Sequence, residues 1–97
     1  MTTATSKGMS DYDLSKLVTH KIMPERAPIA PFATDSGLAL EAALKEGTSI
    51  EIAPQMGGGF RVWGYLLTER GVYGATVARA LCFAALRAAG EEVQDDS

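Results

Sequence analysis

Three consecutive glycines, Gly57-Gly58-Gly59, separate two runs in which apolar and polar residues alternate. In Thr48–Ala53, Ile50 and Ile52 alternate with Ser49, Glu51 and Ala53; in Phe60–Leu67, Phe60, Val62, Gly64 and Leu66 oppose Arg61, Trp63, Tyr65 and Leu67. Period two is the pattern of half-buried strands, and a short glycine loop between two such runs makes a hairpin. Pro54 ends the first strand or places it at an edge, because proline cannot donate to a ladder. A third short strand is expected at Val72–Ala75, joined through Glu69-Arg70-Gly71.

The segments on either side switch to helical spacing. Ser10 is a suitable N-cap, Asp13 stands at the capping-box position, and Met9 and Leu14 are spaced for a hydrophobic staple. Leu14, Leu17, Val18 and Ile22 share one helix face, and Pro24 stops that helix near Met23. The proline-rich stretch 24–33 reads as an extended connector pinned by Ile29 and Phe32. A second helix is expected over Asp35–Glu46, capped by Thr34 or Asp35, with Leu38, Ala42 and the Leu40/Leu44 pair as its apolar positions. Glu41 and Lys45 are placed for an i, i+4 ion pair, and Gly47 for the helix end. A third helix, dense in alanine, runs from Thr76 to Ala89 with Gly90 after it. Its Val77, Ala80, Leu81, Ala84 and Ala88 are expected against the sheet.

The fold class that follows is α+β: a small antiparallel sheet of two or three strands packed with three helices, in the order α-α-β-β-(β)-α. Residues 1–9 are expected as a flexible leader, 10–90 as a single domain and 91–97 as a frayed acidic tail. At 97 residues the chain suffices for one domain, and its 46% hydrophobic and 22% charged content is that of an ordinary soluble globular domain. No apolar run approaches the ~20 residues of a membrane span.

The formal net charge of −3 is unevenly spread. Glu91, Glu92, Asp95 and Asp96 lie in the last seven residues, and the rest holds nine basic against eight acidic side chains. Neither part has the basic excess of a nucleic-acid binder, so no direct nucleic-acid contact is expected. One cysteine and one histidine rule out an internal disulfide framework and a multi-ligand His/Cys metal site. Cys82 stands mid-helix among alanines and His20 flanks the first helix's apolar stripe, so neither reads as a nucleophile or base. The triple glycine lacks the Gly-Lys-Ser/Thr ending of a phosphate loop. No enzyme chemistry, metal or cofactor is expected.

Two clusters suggest docking. Arg61, Trp63 and Tyr65 share one strand face, and these residue types are enriched at binding hot spots. On the last helix, Arg79, Phe83 and Arg87 recur at i, i+4, i+8 opposite the alanine face, an expected exposed patch for a partner or for a homodimer through that helix. These six are the candidate partner-binding residues.

Three segments in order resemble a known family. DLSKLVTHKIM (13–23) is similar to an L-x-x-L-V-A-x-K-V-M-G opening, PFATDSGLALEAAL (31–44) to a P-Y-S-T-D-x-x-x-A-x segment, and ATVARALCFAALRAAG (75–90) to an A-T-A-P-x-A-I-C-x-A-A-L-K-A ending. Together they resemble the phage ABA sandwich domain, with Pro24-Glu25 standing where that family has Gly-Trp. The resemblance implies a phage or prophage origin, a compact α+β sandwich and no catalytic motif. By association with other proteins of such genome regions, it implies a binding protein acting in the host cytoplasm on a host protein or complex, in the manner of an anti-CRISPR inhibitor that occludes its target. The alternatives are an oligomeric sponge whose Arg79 and Arg87 hold the phosphates of a nucleotide second messenger, and a virion structural or assembly protein.

Overall fold

The computed structural model describes residues 9–46, 50–64 and 70–97. The order is α1 (Asp11–Lys21), α2 (Ser36–Glu46), β1 (Ile50–Pro54), β2 (Phe60–Gly64), β3 (Val72–Gly74) and α3 (Val77–Ala88), with one 3₁₀ turn at Pro24–Arg26 in the connector. This is the expected α+β class with the third strand present. The leader up to Gly8, the α2–β1 junction with Gly47, and the extension of the second strand through Tyr65, Leu66 and Leu67 lie outside the described residues.

The caps form as their chemistry requires. The Ser10 hydroxyl accepts the Asp13 N–H at 3.1 Å, the Asp35 carboxylate accepts Leu38 N–H at 3.1 Å, and the Thr76 hydroxyl accepts Arg79 N–H at 3.2 Å. At the end of α3, Gly90 N–H bonds the Arg87 carbonyl and Glu91 N–H the Leu86 carbonyl, the pairing of a Schellman motif.

The sheet runs β1-β2-β3, antiparallel throughout, with Val62 of the central strand opposite both Ile52 and Val72. Period two then puts Phe60, Val62, Val72 and Gly74 on one face and Arg61, Trp63 and Tyr73 on the other. The first face lies on α3; α1 and α2 pack on the opposite side of the same helix. The molecule is therefore layered as helix pair, central helix, sheet.

That layering corrects the reading of the last helix. Every residue from Ala78 to Leu86 is buried, because α3 meets the sheet on one side and two helices on the other. Phe83, Leu86 and Cys82 are fully enclosed and Arg79 is 8% exposed, so the expected outward patch of Arg79 and Phe83 is interior.

Helix α2 shows the same close packing. Its buried residues are Ala39, Ala42 and Ala43, while Leu40 and Leu44 are 38% and 51% exposed, the reverse of the expectation for the leucine pair. Alanine faces on both α2 and α3 let the helices approach more closely than interleaved leucines would. Glu41 and Lys45 also part company: Glu41 pairs with Arg26 at 2.6 Å, and Lys45 donates to the Ile22 carbonyl at 2.7 Å. On the sheet side, a Cβ added to Gly74 would lie 2.3 Å from the Ala80 nitrogen, so glycine sets how near β3 lies to α3.

Candidate docking face and arginine pocket

The C-terminal residues are no frayed tail. Glu91–Ser97 turn back from the end of α3 and run beside β3. Asp96 N–H donates to the Tyr73 carbonyl at 3.0 Å, the Asp95 carboxylate accepts Tyr73 N–H at 2.9 Å, and the Asp96 carboxylate accepts Ala75 N–H at 2.9 Å. The tail thereby satisfies the outer edge of β3, an edge that would otherwise be open for pairing.

Arg79 locks this arrangement. Its Nε and Nη2 grip the two oxygens of Asp96 at 2.8 Å each, Nη1 donates to Asp11 at 2.6 Å, and Nη2 also donates to the Met9 carbonyl at 2.5 Å. Its guanidinium lies 5.6 Å from the centre of the Phe83 ring. The Asp96 hydrogen bonds, opposed by burial and aided by Asp11, raise the Arg79 pKa further above its ordinary value. Arg79 and Phe83, two of the expected contact residues, are thus one internal clasp joining α1, α3 and the tail. A phosphate role for Arg79 fails for the same reason: two carboxylates already occupy its donors.

The carboxylates respond in kind. Burial pushes the Asp96 carboxyl up, but the Arg79 hydrogen bonds, the Ala75 N–H and the Arg79 charge outweigh it and hold the group below its ordinary value. Asp95 is also raised by burial and more strongly lowered by the Ser97 hydroxyl, the Tyr73 and Ser97 N–H groups and the field of Arg87.

The outer face of the sheet keeps the first cluster. Arg61 and Trp63 are half-buried there, and Tyr73, directly opposite Arg61 across the β2–β3 ladder, joins them with its ring 5.7 Å from the Arg61 guanidinium. The Tyr73 hydroxyl donates to the Gly58 carbonyl at 2.8 Å, holding the glycine loop against this face. No described helix packs across it, since α3 takes the other side of the sheet and α1 and α2 lie beyond α3. Tyr65 falls outside the described residues.

The chain end brings Arg87 to the rim of the same face. The last turn of α3 comes beside the turn that precedes β3. There Arg61, Arg70 and Arg87 line a concave pocket of about 230 Å³ with Gly71, Asp95 and Ser97. Arg61 donates to the Arg70 carbonyl and Arg87 to the Val93 carbonyl, both at 2.9 Å. Among the described residues none of the three forms an ion pair. Gly71 has φ +67°, and a Cβ there would lie 2.3 Å from the Val62 carbonyl oxygen and 3.0 Å from the Trp63 ring, so Trp63 abuts the pocket wall. Comparison with protein-family models, with curated proteins and with solved structures finds no match.

Of the six residues expected at a docking site, Arg61 and Trp63 therefore share a face, Arg87 meets Arg61 across a pocket, and Arg79 and Phe83 are interior. Arg70 and Tyr73 were missed. The signal for Tyr73 was the hairpin register, which no residue pattern fixes for a three-residue strand; Arg70 read only as part of a connection. Cys82 is fully buried, and burial, partly offset by Arg79 and reinforced by Asp11, pushes its thiol up to about 12. His20 is exposed on α1. The described residues contain no group of three or more His, Cys, Asp or Glu placed to hold a metal, and no described helix is long and apolar enough to cross a membrane.

Proposed function

We propose that this chain is a non-enzymatic binding protein that docks a partner protein on the outer face of its sheet. One observation carries the reading: Trp63, Tyr73 and Arg61 lie together, half-buried, on a face that no described helix covers. Rigid strand-borne rings lose little side-chain entropy on binding, and aromatic and arginine side chains dominate interface energetics. Arg61 and Glu51, which stands opposite Trp63 on the same face, give it charges of both signs for a partner surface to match. A thiol sealed in α3 supports a role without nucleophilic chemistry. The resemblance to the phage ABA sandwich domain extends the proposal to a bacterial host protein, with a defence complex as target and occlusion as the mode of action.

The test compares the wild-type chain with Trp63→Ala and Arg61→Glu as baits in host lysate. The expected result is one stoichiometric protein retained by wild type and lost by both variants, while Leu40→Ala, on an exposed position of α2, retains it. Retention of the same protein by Trp63→Ala with an unchanged melting curve overturns the reading.

A further inference from the structure

Beyond protein docking, we infer that the pocket between Arg61, Arg70 and Arg87 is a binding site for a phosphate group carried by a small molecule. Three arginines from three separate parts of the chain, β2, the turn before β3 and the last turn of α3, line one concavity of about 230 Å³. Like charges brought together in this way repel, and each would be more stable beside a carboxylate. Elsewhere in this protein arginines have such partners: Arg26 pairs with Glu41, and Arg79 with Asp11 and Asp96. The pocket arginines have none among the described residues.

The Asp95 carboxylate in the pocket lies in the field of Arg87 but hydrogen-bonds to none of the three arginines. One oxygen of Asp95 accepts Tyr73 N–H and the other accepts the Ser97 N–H and hydroxyl, so both are engaged by the protein's own donors. Of the three guanidiniums, Arg61 spends one N–H on the Arg70 carbonyl and Arg87 its Nε–H on the Val93 carbonyl, and their other N–H groups have no protein acceptor among the described residues. The Arg70 side chain donates to no protein acceptor among the described residues.

Three arginines outnumber the acidic groups that line the pocket, which favours an anionic ligand such as a phosphate monoester. Its three terminal oxygens also accept from several planar guanidinium forks at once, which a single carboxylate with two oxygens does less completely. The volume sets the ligand's extent. It falls below the roughly 300 Å³ at which pockets begin to enclose whole drug-sized molecules. The pocket thus encloses the phosphate and leaves the remainder of the molecule outside, where Trp63 stands against the Gly71 wall. This site lies within one chain and uses Arg61 and Arg70 in place of Arg79.

Calorimetric titration of the full chain with inorganic phosphate and with adenosine monophosphate, at ionic strength held constant with chloride, tests the assignment. Saturable 1:1 binding of phosphate is expected. Tighter binding of the nucleotide would assign the outer part of the site to a base or sugar, and equal binding would assign recognition to the phosphate alone; either outcome supports the pocket. Arg70→Gln, whose side chain has no bond to lose within the described fold, is expected to weaken phosphate by roughly tenfold, the loss of one charge-assisted hydrogen bond. Arg61→Gln with Arg87→Gln is expected to abolish binding. A flat phosphate titration, binding of glutarate as tight as that of phosphate, or an Arg70→Gln variant with unchanged affinity overturns the inference. The titration contains no partner protein, so its outcome is separate from that of the docking proposal.

Discussion

At the scale of single residues, Arg79 has the most to lose. The residue is 8% exposed, and its guanidinium satisfies Asp96 through two bonds, with Asp11 and Met9 as further acceptors. Replacement by alanine strands the Asp96 carboxylate, whose side chain is 7% exposed, without a counter-charge. Removing one partner of a buried pair costs about 3–5 kcal/mol, so urea denaturation of Arg79→Ala should show a loss of that size. The same pair predicts an acid response. Asp95 and Asp96 have folded pKa values below their ordinary 3.8, so their contribution is complete above that value and is lost as pH falls beneath it through the depressed folded values. The protection factors of the Tyr73 and Ala75 amides, which the two carboxylates hold, should therefore stay high at pH 4 and fall only at lower pH; loss of protection centred above 3.8 would contradict the linkage. Cys82 supplies an independent probe. With its thiol buried and pushed up to about 12, it should react with a thiol reagent at neutral pH only at the rate of unfolding.

Among the elements, those that read most clearly in the sequence are those defined by local rules. Ser10, Asp35 and Thr76 cap helices because their side chains reach N–H groups three residues on, and the glycine run closes the hairpin because its neighbours alternate. What did not read was which side of an element faces inward when both sides are apolar. In α3 the face with Arg79, Phe83 and Leu86 has the look of a polar-flanked patch, yet a neighbour encloses it because the charge on Arg79 is cancelled by Asp96, 17 residues later. No periodicity reports such a long-range pair. Likewise Leu40 and Leu44 gave way to alanines because close helix approach buries more backbone-proximal surface than bulky side chains permit. The helix–sheet contact is governed by Gly74 in the same way. Gly74→Ala would place a methyl group 2.3 Å from the Ala80 nitrogen, forcing β3 off α3. Overpacking of this kind costs about 1–3 kcal/mol. Chemical denaturation of Gly74→Ala should show that loss, whereas the same change at the exposed Gly37 of α2, where an added Cβ meets only the Asp35 carboxylate at 3.3 Å, leaves the core packing intact.

For the whole molecule, the central position of α3 decides what kind of object this is. A helix with one face to a sheet and the other to two helices is a core element, and its side chains contribute to folding within one chain. Phe83 distinguishes this from assembly through the helix. If α3 were an interface, truncating Phe83 would weaken association, and its effect would depend on protein concentration through mass action. As a core residue at 0% exposure, Phe83→Ala instead removes buried area and leaves a cavity, at a cost of about 3–5 kcal/mol. Denaturation of wild type and Phe83→Ala at protein concentrations spanning a hundredfold should give midpoints separated by that amount and independent of concentration. A midpoint that moves with concentration in wild type, and ceases to move in the variant, would return α3 to the surface and with it the reading that copies meet there. Under the proposed docking role, changes at Trp63, Arg61 and Arg70 on the outer sheet face are expected to act on binding, while those at Phe83, Arg79 and Gly74 act on the fold that holds them in place.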